Sequence, residues 1–145
     1  MILLDVNILV NAINSEGSDS DLIKSWLDAR LRGIERVGMP WHTILGFARI
    51  VTHPRIFAHP VSIPKAWETI ELWLSCPNVW IPMPTERHLE VLRTLLPSVT
   101  KSELVPDAHL AALAIEHGLS LATSDRGFSR FSGLRIVDPL AIAGS

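Results

Sequence analysis

Three aspartates stand where carboxylates can do chemistry. Asp5 follows the apolar run Ile2-Leu3-Leu4, Asp125 follows the run from Leu119 to Thr123, and Asp107 lies just inside a helix opened by Pro106. In parallel α/β sheets the carboxyl ends of the strands border the ligand crevice, so acids far apart in sequence can meet at one edge. Carboxylate oxygens with one cysteine in the chain and few obvious imidazole partners suit a hard cation, Mg²⁺ or Mn²⁺. Such an ion activates water and stabilises both the attacking and leaving oxygens of a phosphodiester. It also neutralises acids that would otherwise repel a polyanion. Metal-dependent phosphodiester hydrolysis is the chemistry this pattern points to. Each acid has a structural role open to it as well. Asp5 and Asp107 suit helix N-termini, where orphan N–H groups and the helix dipole favour a carboxylate. Asp125, before Arg126-Gly127, suits a turn. A phosphatase with an aspartate after its first strand would need a second carboxylate two residues later, and that position is Asn7.

Positioning these acids requires strands and helices in alternation. Short apolar runs at Ile2–Leu4, Val37–Met39, Val79–Ile81, Leu119–Thr123 and Arg135–Val137 read as strands. Ile8 to Ile13 suggests one or two helical turns, ended by Asn14-Ser15-Glu16-Gly17-Ser18. Ser20 or Asp21 can cap a helix with Leu22, Ile23, Trp26, Leu27, Leu31 and Ile34 at helical spacing. Pro40 opens a helix from Trp41 to Val51, and His53 to Pro60 reads as a loop. Ser62 with Pro64 starts a helix through Trp73 and Leu74. Thr85 caps one through Leu95-Leu96, stopped by Pro97. Asp107 to His117 ends at Gly118, a left-handed stop. The alternation predicts an α/β domain with a mainly parallel sheet.

The 145 residues suit one domain, without repeat or linker, large enough to bury a core. Lys+Arg number 13 against 15 Asp+Glu, a net charge of −2, which excludes a protein that grips nucleic acid or anionic membrane by being basic overall. The charge is uneven, since Lys24 to Lys65 holds seven basic residues against two acids. Cys76 alone cannot form an intramolecular disulfide or a Cys-rich zinc site, which fits a reducing compartment. The N-terminus lacks a signal-peptide pattern, and no run approaches the ~18 apolar residues of a spanning helix. A soluble, cytoplasmic protein with no membrane partner is expected.

Four segments carry a family resemblance: Ile2-Leu3-Leu4-Asp5-Val6-Asn7-Ile8-Leu9-Val10, Leu45 through Phe57, Val105-Pro106-Asp107-Ala108-His109 through Gly118, and Ser124-Asp125-Arg126-Gly127 through Phe131. In register over essentially the whole chain, they resemble a PIN-domain ribonuclease, specifically a VapC toxin of a toxin–antitoxin pair. The resemblance implies a single three-layer domain over residues 1–145, its central, mainly parallel sheet of four to five strands flanked by helices. It implies Mg²⁺ held by Asp5 and Asp107, with Mn²⁺ as a possible substitute. Asp125 would complete the catalytic acids, directly or through a metal-bound water. The implied reaction is endonucleolytic hydrolysis of RNA. The implied partners are a VapB antitoxin, whose C-terminal segment lies over the active-site groove, and a second copy of the chain.

Two positions depart from the family pattern. Gly46 stands where many PIN domains carry a glutamate, and Gly127 where many carry a second aspartate. Three acids can support a single-metal site or part of a two-metal one, and Glu103 is either a fourth acid or a solvated loop residue. With acids missing, the chain could instead be a catalytically weak or inactive PIN domain that binds RNA or antitoxin. Gly46 costs a helix about 1 kcal/mol relative to Ala, which close helix packing or substrate access would explain. Arg126 and Arg130 are candidates to grip a substrate phosphate or to pair with Asp125; Arg49 and Arg55 are further basic candidates. His109 falls away from the Asp107 face, and His42, His53 and His59 are assigned no chemistry. Trp26, Trp67 and Trp73 fall at core spacing, while Trp41 suits burial or stacking on a base.

Overall fold

The first strand, β1 (Ile2–Leu4), is buried on both faces: Ile2 and Leu4 join one apolar cluster and Leu3 the other. The computed structural model describes residues 1–14 and 16–143, so Ser15 and the last two residues of the 1–145 span lie outside the described residues. After β1 come α1 (Val6–Ile13), α2 (Ser18–Leu31), β2 (Val37–Gly38), α3 (Trp41–Val51), α4 (Ile63–Leu74) and β3 (Val79–Trp80). α5 (His88–Leu95), α6 (Val105–His117), β4 (Ser120–Ala122), β5 (Ile136–Val137) and α7 (Pro139–Ala143) complete the chain. The strands form one parallel sheet in the order β3-β2-β1-β4-β5, with Leu3 opposite Gly38 on one side and Leu121 on the other.

Two cores make the outer layers. On one face Leu4, Ile8, Ile23, Phe47 and Ile70 pack α1 to α4 against the sheet. On the other, Leu3, Leu121, Val91, Leu110 and Phe128 bury α5 and α6. Ala108, Ala111, Ala112 and Ala114 are fully buried, and their small side chains let α6 lie close to its surroundings. The helix ends at Gly118, whose φ of 69° is the left-handed conformation glycine adopts without strain. Ser62 accepts the Lys65 N–H as the cap expected for α4. Among the described residues no helix is long and apolar enough to cross a membrane.

Three local readings are corrected, and two short elements are new. α2 starts at Ser18 behind Gly17, and Ser20 donates its hydroxyl to the Glu16 carbonyl instead of capping. Ile34 lies beyond that helix and is 97% exposed, so helical spacing ran past the end of the element. α5 begins at His88, three residues after Thr85, whose hydroxyl oxygen accepts the Arg87 N–H in the preceding turn. The 3₁₀ turn Arg126–Arg130 and α7 had no expected counterpart; both are five-residue pieces, too short to show a period.

Candidate active site

The order of strands reverses direction between β1 and β4, and a crevice opens at their carboxyl ends. Asp5 is the first residue past β1, where its N–H still donates to the Ala122 carbonyl at 3.0 Å. Its Oδ1 accepts the Val6 N–H at 2.7 Å as the cap of α1, and its Oδ2 accepts the Thr123 hydroxyl at 2.7 Å. The same hydroxyl oxygen accepts from Asn7 Nδ2 at 3.1 Å and from the Asp125 N–H at 3.0 Å. One buried threonine therefore ties together the ends of both strands. Asp125 is exposed and caps the Arg126–Arg130 turn, accepting the Gly127 N–H at 2.8 Å. Asp107, in the first turn of α6, makes no capping bond. The capping roles considered for Asp5 and Asp125 are thus both observed.

All three acids line one cavity of about 340 Å³, together with Asn7, His42 and Arg49. Burial pushes the Asp5 carboxyl above its ordinary value, with a further push from Asp125, against the opposing hydrogen bonds of Thr123 and Val6. Asp107 is also pushed up, first by burial and then by the charges of Asp5 and Asp125; His42 and Arg130 pull it back. Buried carboxylates crowded by the charge of neighbouring acids in this way are relieved by a cation. Among the described residues no three His, Cys, Asp or Glu side chains form a ready-made metal cage. An all-oxygen set of this kind fits Mg²⁺, which takes one or two carboxylates and keeps several of its waters.

The structure brings Arg130 to the acids. Its Nε donates to the Gly127 carbonyl at 2.8 Å and its charge is felt at Asp107. Arg126 turns to an adjoining cavity of about 270 Å³, bordered by Ser129 and Asp138, with Asp125 forming part of both walls. Glu103 is exposed beside Ser102 and lines neither cavity. A larger cavity of about 670 Å³ sits at the amino ends of the strands, around Arg36 and Trp80, and no carboxylate lines it.

Gly46 answers the question of its own position. A Cβ there would sit 2.7 Å from Val6 Cγ2, so α3 crosses α1 where only glycine fits without movement, and a glutamate would meet the same obstacle. Gly127 is tight in a different way, with Asp125 Oδ1 at 3.1 Å and Arg130 Nη2 at 3.3 Å from its Cβ position. Sequence spacing missed Asn7, Thr123 and His42. The first two become visible only when β1 and β4 are paired, and His42 only when α3 is laid beside α6. His109 does face away from the acids, its Nδ1 lying 3.0 Å from His88 Nε2.

A parallel α/β sheet with an acidic switch-point cleft defines the class, and relatives define the family. Residues 2–134 match the family model of the PIN domain. Ribonuclease VapC37 of Mycobacterium tuberculosis is 38% identical over 143 residues, covering 98% of this chain and 99% of that protein. Ribonuclease VapC48 of the same species is 36% identical over 139 residues, covering 94% and 96%. Among solved structures, VapBC2 from Rickettsia felis bound to a DNA fragment from their promoter matches with a TM-score of 0.69 at 18% identity, covering 95% of this chain and 98% of that one. VapBC-1 from nontypeable Haemophilus influenzae matches at 0.67 and 19%, covering 97% and 99%. The chain belongs to the PIN-domain family, in its VapC group.

Proposed function

We propose that this protein is a Mg²⁺-dependent endoribonuclease, the toxic member of a toxin–antitoxin pair, working in the cytoplasm. The observation that carries the reading is the convergence of Asp5, Asp107 and Asp125 on one cavity at the sheet's switch point. The names of its curated relatives, ribonucleases, support it. Asp5 and Asp107 would hold Mg²⁺, or Mn²⁺ in its place, and Asp125 would complete the acidic set. When bound, the ion supplies Lewis-acid polarisation of the phosphodiester and lowers the pKa of the attacking water.

The remaining chemistry belongs to the chain. Thr123 fixes the Asp5 carboxylate, so its free lone pairs are aimed before substrate arrives. Arg49, which lines the cleft, and Arg130, whose charge reaches Asp107, offset charge that develops on the phosphate. Arg126, facing the adjoining cavity, meets the RNA strand beyond the cleft. The partners are RNA, a VapB-type antitoxin, in keeping with the VapBC complexes among the structural neighbours, and a second copy of the chain. Purified, antitoxin-free protein incubated with total RNA should cut in Mg²⁺ and stay inert in EDTA. A mobility shift with no cleavage in Mg²⁺ would identify an RNA-binding module instead.

A further inference from the structure

A second cavity, of about 200 Å³, shares a wall with the acid cleft: His42 lines both. Trp41, Met83 and Pro84 form its apolar sides, and His109 closes it. Trp41 is 43% exposed and Met83 56%, large apolar groups left uncovered beside a reactive site. No Asp, Glu, Lys or Arg lines the cavity, so it suits neither a phosphate nor a cation. At ~30 Å³ per water, its volume equals roughly six or seven waters, room for one heteroaromatic ring system and too little for a helix.

His109 is oriented from behind. The Glu116 side chain is 0% exposed; it accepts the Thr85 N–H at 2.8 Å and lies 2.9 Å from His88 Nδ1. A carboxylate only accepts, so that nitrogen of His88 carries the hydrogen. His88 Nε2 then meets His109 Nδ1 at 3.0 Å. This chain of contacts fixes the plane of the His109 ring, which lines the cavity.

We propose that this cavity receives one unstacked base of the RNA substrate, next to the phosphate held over Asp5 and Asp107. Trp41 and Met83 supply its stacking walls, and the oriented His109 ring offers a hydrogen-bonding group to the base edge. The proposal rests on the ribonuclease reading. Single-stranded RNA is recognised by splayed bases on aromatic side chains, and the shared His42 wall places base and phosphate in adjoining compartments.

The test uses an oligoribonucleotide with one mapped cleavage site and its twin with an abasic residue beside the scissile phosphate. The unmodified protein should cut the abasic twin about 10- to 100-fold less efficiently in kcat/KM. Trp41→Ala should lose a similar factor on the parent substrate and show no further abasic penalty, while Trp41→Phe keeps most of the activity. An undiminished abasic penalty in Trp41→Ala overturns the proposal, including the case where that variant merely changes oligomeric state. A binding readout separates this idea from its parent. An Asp107→Asn protein should quench a single-stranded oligonucleotide carrying 2-aminopurine, and adding Trp41→Ala should abolish the quench. If the protein cuts no RNA, the ribonuclease reading fails; if the quench is absent or survives Trp41→Ala, the base pocket fails.

Discussion

Thr123 carries more of the site than its size suggests. Its one hydroxyl donates to Asp5 in a buried bond and accepts from Asn7 and Asp125 in part-buried ones. Thr123→Val keeps the shape and leaves those partners unpaired, so denaturant unfolding should show a loss of about 1–3 kcal/mol. Thr123→Ser should recover most of it. Asp107 behaves in the opposite way, because charge repulsion and burial penalise it and no described hydrogen bond holds its carboxylate. Asp107→Asn should therefore raise the melting temperature in EDTA by about 2–4 °C, the response of a domain this size to roughly 1 kcal/mol. The sign with pH follows from the raised carboxyl. The native state holds that proton more tightly than the unfolded chain, so ionised Asp107 lowers stability at neutral pH. The gain from Asp107→Asn should shrink as pH falls toward the ordinary value of 3.8. At this scale the acids were legible from sequence because each ends a strand or opens a helix. Asn7 and Thr123 were not, since the bond between them spans 116 positions and only pairing of β1 with β4 creates it.

Elements decide how close these side chains come. α3 passes α1 at Gly46, with Val6 against the missing Cβ, and both helices wall the acid cleft. Gly46→Ala should destabilise by about 1–3 kcal/mol through overpacking, measured by denaturant unfolding. Val6→Ala in the same chain should return most of that loss, as expected for two residues in contact. If Val6→Ala fails to compensate, close packing is not why glycine sits there. The helix spans were legible where a cap and a stop frame them, as with Ser62 and Pro64 or Pro106 and Gly118. They were misread where helical spacing continued by chance to Ile34, and where Thr85 caps a turn one step ahead of α5.

Across the whole molecule, charge is sorted by the sheet. The basic stretch read from the sequence does not form one footprint. Arg49 reaches the acid cleft, while Arg32 and Arg36 line the cavity at the strands' amino ends, where Arg36 lies 4.0 Å over Trp80. Folding thus sends Arg49 to the acid cleft and Arg32 and Arg36 to the opposite end of the sheet. Mg²⁺ that binds only the native state should raise thermal stability with the logarithm of its concentration above Kd, by about 2.7 kcal/mol at a hundred times its Kd. Asp107→Asn should remove that gain. The imidazoles push the acid side of the profile the other way. Burial lowers His42 and His109, so the unfolded chain takes up their protons first, and stability should fall as pH drops below 6.5. Fold class and the three acids could be read from the sequence because strand ends and helix starts leave local marks; the sorting of charge could not, because it exists only once the layers are stacked. If these acids cut RNA together, losing one must slow the cut, and the measurement is the cleavage rate of total RNA in Mg²⁺ for the unmodified protein and for folded Asp107→Asn. The unmodified protein should cut and the variant should be slower by at least about a hundredfold. Equal rates would contradict the account.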